Sequence, residues 1–224
     1  MPSEKKKIKV IPDGPYEVSE NIPLNQQEFV PDNRNFSVAY KEVKKIPTHG
    51  VYHLCRCGNS HNKPFCDGSH MDCKFDGEGV TNHKKYDDIA KFIEGKQIDL
   101  LDAEELCVHA RFCNTKSGTW NLTTRSDYPE TKDIVVGQCD HCPSGRLTAV
   151  TKEGKRIEPE LPQEISVLED PGAKVHGPIW VKGGIEIEDT KGKTYPIRNR
   201  VTLCRCGKSK NKPFCDGEHI KTNK

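Results

Sequence analysis

Residues 54–70 read LCRCGNSHNKPFCDGSH, and residues 203–219 repeat this stretch as LCRCGKSKNKPFCDGEH, with three positions changed. Both copies contain three cysteines and one histidine in the spacing C-x-C-x8-C-x3-H. These residues are Cys55, Cys57, Cys66 and His70 in the first copy and Cys204, Cys206, Cys215 and His219 in the second. A duplicated set of three thiolates and one imidazole predicts two metal sites.

The composition argues against a single deep hydrophobic core. Of the 224 residues, 33% are hydrophobic and 30% are charged, and the mean hydropathy is −0.77. Small modules that are stabilised partly by bound metal fit this composition better. The 35 basic and 33 acidic residues give a net charge of +2, which argues against an extended nucleic-acid-binding surface. We therefore expect no nucleic-acid partner.

The eleven cysteines are an odd number and lie close to histidines in the sequence. The chain contains no apolar stretch of the roughly 18 to 20 residues that a membrane span needs, and no apolar run typical of a signal peptide. We therefore expect a cytoplasmic protein without a membrane partner, in which the cysteines bind metal rather than form disulfides. A secreted, disulfide-bonded protein that has lost its leader is the alternative.

The repeat extends upstream of the cysteines. Residues 14–22 resemble residues 177–185, and in each copy a second extended stretch, at 50–54 and 199–203, leads into the cysteine loop. Alternating apolar residues with Gly and Pro between them predict short strands. Each copy alone is too small to bury a useful core, so we expect the two to pack as a pseudo-symmetric pair of small β-rich units in an α+β fold.

The middle of the chain has a different pattern. Ile89, Phe92 and Ile93 recur at helical spacing, which predicts a helix within residues 84–106, and residues 102–106 are suited to a second short helix. Residues 152–171 are rich in Pro, Glu and Lys and are typical of a linker. We therefore expect three units: an N-terminal strand region with the first cysteine loop, a middle domain, and a linker with the second loop. Their predicted boundaries are 1–79, 80–160 and 161–224.

The spacing within each loop places the metal-binding side chains in pairs. Cys55 and Cys57 are two residues apart, so in an extended segment they point to the same side. Cys66 and His70 are four apart, so they share a face of a helical turn. A two-iron cluster requires two such bidentate pairs. A tetrahedral zinc site with three thiolates and one imidazole uses the same residue types, and the spacing alone does not decide between them.

The first copy resembles the signature of the CDGSH iron–sulfur (NEET) family, C-x-C-x2-S/T-x3-P-x-C-D-G-S/A/T-H, at every specified position. The resemblance implies a 2Fe–2S cluster in each copy, bound by the three cysteines and the histidine. The second copy departs only at Glu218, which replaces a small residue, and its ligands are intact. In this family the units pair between chains or within one chain, so we expect either a monomer with internal pairing or a homodimer.

A second cysteine set lies in the middle domain. Cys107, Cys113 and Cys142 align with the ferredoxin pattern C-x2-C-x2-C…C-P, with Ala110 in place of one ligand, and Cys139 can supply the missing thiolate. The run CPSGRL also resembles the end of a divergent single-cluster ferredoxin domain. We therefore expect a small ferredoxin-like α+β insert with one 4Fe–4S cluster, or a 3Fe–4S cluster if Cys139 does not bind. A zinc site and unliganded thiols are the alternatives.

Several other residues lie near the predicted ligands in the sequence, and we do not interpret them as metal ligands. Cys73 has no counterpart after the second loop and is interpreted as a spare thiol. A set of four thiolates does not need His109 or His141 as ligands. Four basic residues flank the two loops, and we expect them to form a solvated face; they are Arg56, Lys63, Arg205 and Lys212.

These features predict an iron–sulfur protein that acts in electron transfer, cluster transfer or redox sensing, with a redox partner protein or a cluster acceptor as its partner. The sequence contains no nucleotide-binding loop and no nucleophile or metalloprotease motif, so an electron carrier fits better than a stand-alone enzyme. Two alternatives stay open. One is a zinc-binding structural or interaction module, and the other is the electron-transfer subunit of an oxidoreductase complex.

Overall fold

The computed structural model describes residues 6–19, 21–79 and 81–222, in which short strands dominate. In chain order the strands are β1 (Lys7–Val10), β2 (Tyr16–Val18), β3 (Leu24–Pro31), β4 (Ser37–Ile46), β5 (Tyr52–Leu54), β6 (Lys91–Ile93), β7 (Ile98–Asp102), β8 (Leu147–Thr151), β9 (Arg156–Ile157), β10 (Ile165–Asp170), β11 (Val175–Lys182), β12 (Glu186–Glu188) and β13 (Arg200–Leu203). The helices are α1 (Ser69–Asp72), α2 (Thr119–Thr124), α3 (Thr131–Asp140) and α4 (His219–Thr222), with 3₁₀ turns at Tyr86–Asp88, Glu104–Leu106 and Phe112–Asn114.

The two cysteine-loop copies are built alike, as the repeat predicted. In the first copy β2 pairs antiparallel with β1 and with β5, which leads into the first loop. In the second copy β11 pairs antiparallel with β10 and with β13, which leads into the second loop. The registers correspond, because Tyr16 lies opposite Leu54 and Ile179 lies opposite Leu203. The predicted strands at the start of each copy are therefore confirmed.

The sheet of each cysteine-loop copy also contains a strand from the other copy. The first sheet has the order β12-β1-β2-β5, in which β12 from the second copy runs parallel to β1. The second sheet has the order β13-β11-β10-β3-β4, in which β3 from the first copy runs parallel to β10. The two copies thus exchange corresponding strands, and β4 extends the second sheet as the partner of β3. Through this exchange the two copies form the predicted pseudo-symmetric pair.

The exchanged sheets enclose one shared hydrophobic core. Both copies contribute to it, and its fully buried members include Ile8, Tyr16 and Leu54 from the first and Ile165 and Ile179 from the second. Burial of apolar surface is the main stabilising contribution to a fold, so the core that neither copy can build alone forms between them. The α+β architecture with paired β-rich units is confirmed.

The middle of the chain forms a third sheet of order β6-β7-β8-β9, covered by α2 and α3. The helix predicted within residues 84–106 is wrong, because β6 and β7 form a hairpin there. Phe92 is 61% exposed, so its helical spacing does not mark a buried face. The Asp99 carboxylate instead accepts hydrogen bonds from the Gly95 backbone N–H at 2.9 Å and from Lys152 at 2.7 Å, which closes the hairpin.

Two further expectations for this region are corrected. The second short helix predicted at residues 102–106 is a single 3₁₀ turn, Glu104–Leu106. Residues 152–171, predicted as a linker, contain β9 and the whole of β10, which lies in the middle of the second sheet. Ile165, Val167 and Leu168 of β10 are buried, and these apolar residues outweigh the polar composition around them.

No helix within residues 6–19, 21–79 and 81–222 has the length and apolar character that crossing a bilayer needs.

Candidate metal centres

The first loop begins where β5 ends, and its four predicted ligands lie in two pairs. The sulfur atoms of Cys55 and Cys57 lie 3.8 Å apart. The sulfur of Cys66 lies 3.4 Å from Nδ1 of His70, which is on α1. Asp67, between these two, accepts hydrogen bonds from the backbone N–H groups of His61 at 2.7 Å and Ser69 at 3.0 Å, so it holds the loop closed.

The second loop repeats this arrangement after β13. The sulfur atoms of Cys204 and Cys206 lie 3.7 Å apart, and the sulfur of Cys215 lies 3.3 Å from Nδ1 of His219. The contact between the sulfurs lowers the pKa of Cys206 to about 7 and raises that of Cys204. One thiolate is therefore accessible near neutral pH, and the thiolate is the form that binds metal.

The donor set fits an iron–sulfur cluster better than a single metal ion. Within residues 6–19, 21–79 and 81–222, no three His, Cys, Asp or Glu side chains are grouped so as to hold one ion. The donors are instead arranged two by two, and sulfur and imidazole nitrogen are the ligands that iron–sulfur clusters use. The backbone N–H of Asn59 donates to the Cys57 sulfur, and that of Gly217 donates to the Cys215 sulfur, each at 3.4 Å. Such hydrogen bonds stabilise the negative charge of a sulfur ligand.

The two loops touch each other at a pair of glycines. A Cβ atom added to Gly58 would lie 2.8 Å from the carbonyl oxygen of Cys206, and one added to Gly207 would lie 2.5 Å from that of Cys57. Both glycines also have a positive φ, which an L-residue adopts only with strain. Glycine is therefore required at both positions for the backbones of the two loops to approach this closely.

The middle cysteines form a third candidate site. Cys107, Cys113 and Cys142 line one cavity of about 170 Å³, together with His109. Burial raises the pKa of the Cys113 thiol to about 12, so a positive charge is needed to stabilise its thiolate. Arg146 lines the same cavity and lies close enough to Cys107 for the two to interact electrostatically. A bound metal would supply the remaining positive charge.

Cys139 differs from the other three middle cysteines. It lies on α3, it is fully buried in the core between that helix and the third sheet, and it does not belong to the cavity lining. Burial raises the pKa of its thiol well above the usual value. The structure thus brings three of the four predicted thiolates to one cavity, and the fourth is buried in the core against which Cys113 and Cys142 pack.

Comparison with protein families agrees with both kinds of site. A family model described as iron-binding zinc finger CDGSH type matches residues 13–71 and 176–220, and a model described as divergent 4Fe-4S mono-cluster matches residues 93–152. The chain has a tandem CDGSH architecture. Searches of curated proteins and of solved structures found no significant match to the tandem CDGSH chain.

Buried arginines support both CDGSH loops, which corrects the expectation that Arg56 and Arg205 lie on a solvated face. Arg56 is 1% exposed, and it donates to the backbone carbonyls of Ile11, Gly14 and Gly77, each at 2.8 Å. Arg205, at the corresponding position, is 7% exposed and instead pairs with the Glu169 carboxylate at 2.8 Å. An arginine between two cysteines gives no sequence signal of burial, since its side chain is charged.

Arg200 is a further functional residue that the sequence did not reveal. It opens β13 just before the second CDGSH loop, and its side chain is fully buried. Its guanidinium donates to the backbone carbonyls of Cys139, Asp140 and Cys142, and it forms an ion pair with Glu158 at 3.1 Å. Arg200 therefore fixes the turn that carries the middle-site cysteine Cys142 to the second CDGSH unit.

The structure also gives the positions of Cys73 and of the two middle-region histidines, His109 and His141. Cys73 is exposed just beyond the first CDGSH loop, and its thiol donates to the backbone carbonyl of His70 at 3.7 Å; its interpretation as a spare residue stays a prediction. The ring of His141 stacks on Tyr40 and Phe112, its Nδ1 is 2.6 Å from the carbonyl oxygen of Gly137, and it does not line the cavity of the middle cysteines. His109, by contrast, lines the cavity of the middle cysteines.

Proposed function

We propose that this protein holds one 2Fe–2S cluster in each CDGSH loop and acts in electron transfer or cluster transfer. The observation that carries the proposal is the pairing of donors. In both loops two cysteine sulfurs lie within 3.8 Å of each other, and a cysteine sulfur lies within 3.4 Å of a histidine Nδ1. One pair would hold each iron, so the ligands are Cys55, Cys57, Cys66, His70, Cys204, Cys206, Cys215 and His219.

The histidine in each set changes the charge of the site. When bound, a cluster of this kind gains and loses single electrons at a potential that its ligands set. Imidazole is neutral where a thiolate is anionic, so a site with one histidine should have a higher potential than one with four cysteines. Burial lowers the pKa of His219 to about 4, which keeps its imidazole in the neutral, metal-binding form.

For the middle site we propose one cluster held by Cys107, Cys113 and Cys142, the three thiolates that line its cavity. The cluster is a 3Fe–4S cluster if these three thiolates are its only protein ligands, or a 4Fe–4S cluster if Cys139, which is buried next to Cys113 and Cys142 but outside the cavity lining, supplies the fourth. Arg146 would offset the negative charge of the bound cluster. Asp102 contacts the Arg146 guanidinium at 2.6 and 2.9 Å in a bidentate pair, which fixes its orientation at the cavity.

The proposed partner is a redox protein or a cluster acceptor, and the proposed setting is a reducing compartment such as the cytoplasm, where thiolates stay available as ligands. The strand exchange within the chain supports a monomer with internal pairing, since each CDGSH unit already receives its missing strand from the other. We retain the boundaries 1–79, 80–160 and 161–224 as proposed unit limits.

The deciding experiment is anaerobic purification from iron-replete cells, followed by quantitation of iron, sulfide and zinc per chain and by electron paramagnetic resonance (EPR) before and after reduction. We expect visible absorbance and about seven to eight irons per chain, from two 2Fe–2S clusters and one middle cluster. Stoichiometric zinc without sulfide or visible absorbance would replace this proposal with a zinc-binding structural or interaction module.

Matched cysteine variants test the ligand assignment. Cys66→Ser removes one thiolate of the first CDGSH set, so we expect the EPR signal of one 2Fe–2S cluster to be lost. Cys73→Ser is the control, because Cys73 is an exposed free thiol only a few residues along the same chain segment. Equal iron content and equal spectra in the two variants would contradict the assignment.

A further inference from the structure

The two CDGSH loops have the same ligands but different surroundings. In the first loop Cys66 and His70 are half-buried, whereas in the second Cys215 is 2% exposed and His219 is 4% exposed. The difference extends along the loop: Pro64, Phe65 and Gly68 are half-buried, and their counterparts Pro213, Phe214 and Gly217 are buried. A near-identical sequence therefore lies in two environments, and the cause must be what packs against each copy.

The middle-site segment covers the second loop. Cys215 packs in an apolar cluster with Val108, Ala110 and Phe112, which lie between the middle cysteines Cys107 and Cys113. The Arg111 side chain fixes this segment to the second sheet, because it contacts both carboxylate oxygens of the buried Asp170, at 2.6 and 2.8 Å. A bidentate pair of this kind holds both orientation and distance.

Gly217 shows how close this contact is. A Cβ atom at Gly217 would lie 2.3 Å from Cδ2 of the His109 ring and 3.1 Å from the carbonyl oxygen of Cys107. At Gly68, the same position in the first loop, the nearest atom to such a Cβ is the flexible end of Met71, at 3.4 Å. At Gly217 the backbone of the second loop thus touches the residues of the middle site, whereas at Gly68 the backbone of the first loop has no comparable contact.

The opposite end of the second loop faces the first loop. Cys206 meets Gly58 there, and Cys57 meets Gly207, and both cysteines line one cavity of about 360 Å³ between the loops. The Cys215–His219 pair therefore lies toward the middle site, and the Cys204–Cys206 pair lies toward the first CDGSH site. In space, the second CDGSH site is between the other two.

We propose that the two CDGSH sites have different roles: the second, which is enclosed at its Cys215–His219 end, connects the middle site to the first, and the first is the site at which the protein exchanges iron or electrons with a partner. The proposal rests on the proposed function, because it needs all three sites to hold clusters. It follows from packing at the cysteine–histidine end of each loop. The Cys215–His219 pair is enclosed by close-packed protein and is reached only through local opening, whereas the Cys66–His70 pair is already accessible; at the other end of the second site, Cys206 is half-buried and lines the cavity shared with the first loop.

Iron loss to a chelator tests the difference in access. The anaerobic, fully loaded protein is mixed with bathophenanthroline disulfonate, and the EPR signals of the two 2Fe–2S clusters are followed over time. His70→Cys identifies the first-site signal, because it shifts the potential of that cluster alone. We expect the first-site signal to decay while the second-site signal is still present. Equal decay of both signals, or earlier decay of the second, would overturn the proposal.

A matched pair of variants tests the cause. Gly217→Ala and Gly68→Ala introduce the same side chain at a similar positive φ, 82° and 91°, but only the first collides with His109 and Cys107. We expect Gly217→Ala to speed iron loss from the second site on the order of tenfold and Gly68→Ala to leave that rate unchanged. If Gly217→Ala does not fold, His109→Ala uncovers the same loop without a collision and should give the same acceleration.

Spin relaxation tests the order of the sites. A reduced, paramagnetic middle cluster should speed the relaxation of the second-site EPR signal and have a smaller effect on the first-site signal. A larger effect on the first-site signal would overturn the order. Clusters that are present but decay and relax alike would reject this inference alone, whereas a preparation without iron and sulfide would reject the proposed function as well.

Discussion

Replacement of Arg200 by methionine is expected to destabilise the protein and to release the middle cysteines. Arg200 is 1% exposed and donates to three carbonyls of the Cys139–Cys142 turn and to both oxygens of Glu158. Methionine has a similar length and keeps the packing of the stem, but it donates no hydrogen bond. The change therefore isolates the polar contribution of the guanidinium.

The magnitude follows from what each acceptor loses. Hydrogen bonds that involve a charged group contribute about 1.5–3 kcal/mol each, and a buried polar group left without a partner costs about 1–3 kcal/mol. Glu158 is 33% exposed and regains water, and the removed cation no longer needs to be desolvated, so these losses are partly offset. The charge-assisted bonds to the three turn carbonyls dominate. The Cys139 and Cys142 carbonyls keep backbone N–H donors, from Cys142 at 3.0 Å and Gly145 at 3.1 Å, so their loss is limited to the bond itself, and the net loss is about 3–4 kcal/mol.

Thermal unfolding followed by circular dichroism measures this loss. For a chain of this size, 1 kcal/mol lowers the Tm by about 2–4 °C, so we expect a decrease of roughly 6–16 °C. Iron per chain should also fall, because the freed turn carries Cys142. Arg125→Met is the control, since Arg125 is exposed and its replacement should change stability by less than about 0.5 kcal/mol. A Tm within about 2 °C of the parent protein, with full iron content, would refute the reasoning.

Three further predictions concern the sites. His70→Cys should lower the potential of the first 2Fe–2S cluster on the order of 100–300 mV, as measured by EPR redox titration. Tyr16→Phe should destabilise by about 1–2 kcal/mol in thermal unfolding, because the buried Tyr16 hydroxyl donates to the Cys204 carbonyl at 2.8 Å. Cys139→Ser should keep the middle cluster, whereas Cys113→Ser should lose it, as measured by iron content and EPR.

Each of these has a clear opposing outcome. An unchanged potential in His70→Cys would mean that the histidine does not bind the cluster. Tyr16→Phe with parental stability would mean that the contact between the first copy and the second loop contributes nothing. Loss of the middle cluster in Cys139→Ser, with Cys113→Ser unaffected, would reverse the assignment drawn from the cavity lining.

The CDGSH loops could be predicted from the sequence because their geometry is local. Cys55 and Cys57 follow a strand and Cys66 and His70 share a helical turn, so residue spacing alone determines which donors meet. The same holds for the short strands that enter each loop, which the alternating apolar residues identified. The choice of iron over zinc did not follow from spacing and depended on the family resemblance.

Long-range features could not be predicted in this way. The exchange of β3 and β12 joins residues far apart in the chain, and no local pattern encodes it. The hairpin of β6 and β7 was mistaken for a helix because Ile89, Phe92 and Ile93 match helical spacing by coincidence. The burial of Arg200 depends on three carbonyls and a carboxylate that other segments supply, so it becomes visible only in three dimensions.

The strand exchange has one more consequence. In a homodimer that exchanges strands, both subunits have the same sequence. A substitution that buries the metal site of one subunit therefore also buries the metal site of the other. Here a single polypeptide contains both CDGSH units, so the middle segment can cover the second unit and leave the first uncovered. The corresponding glycines of the two loops show this difference. Gly217 is buried against His109, and Gly68 is half-buried with no such neighbour.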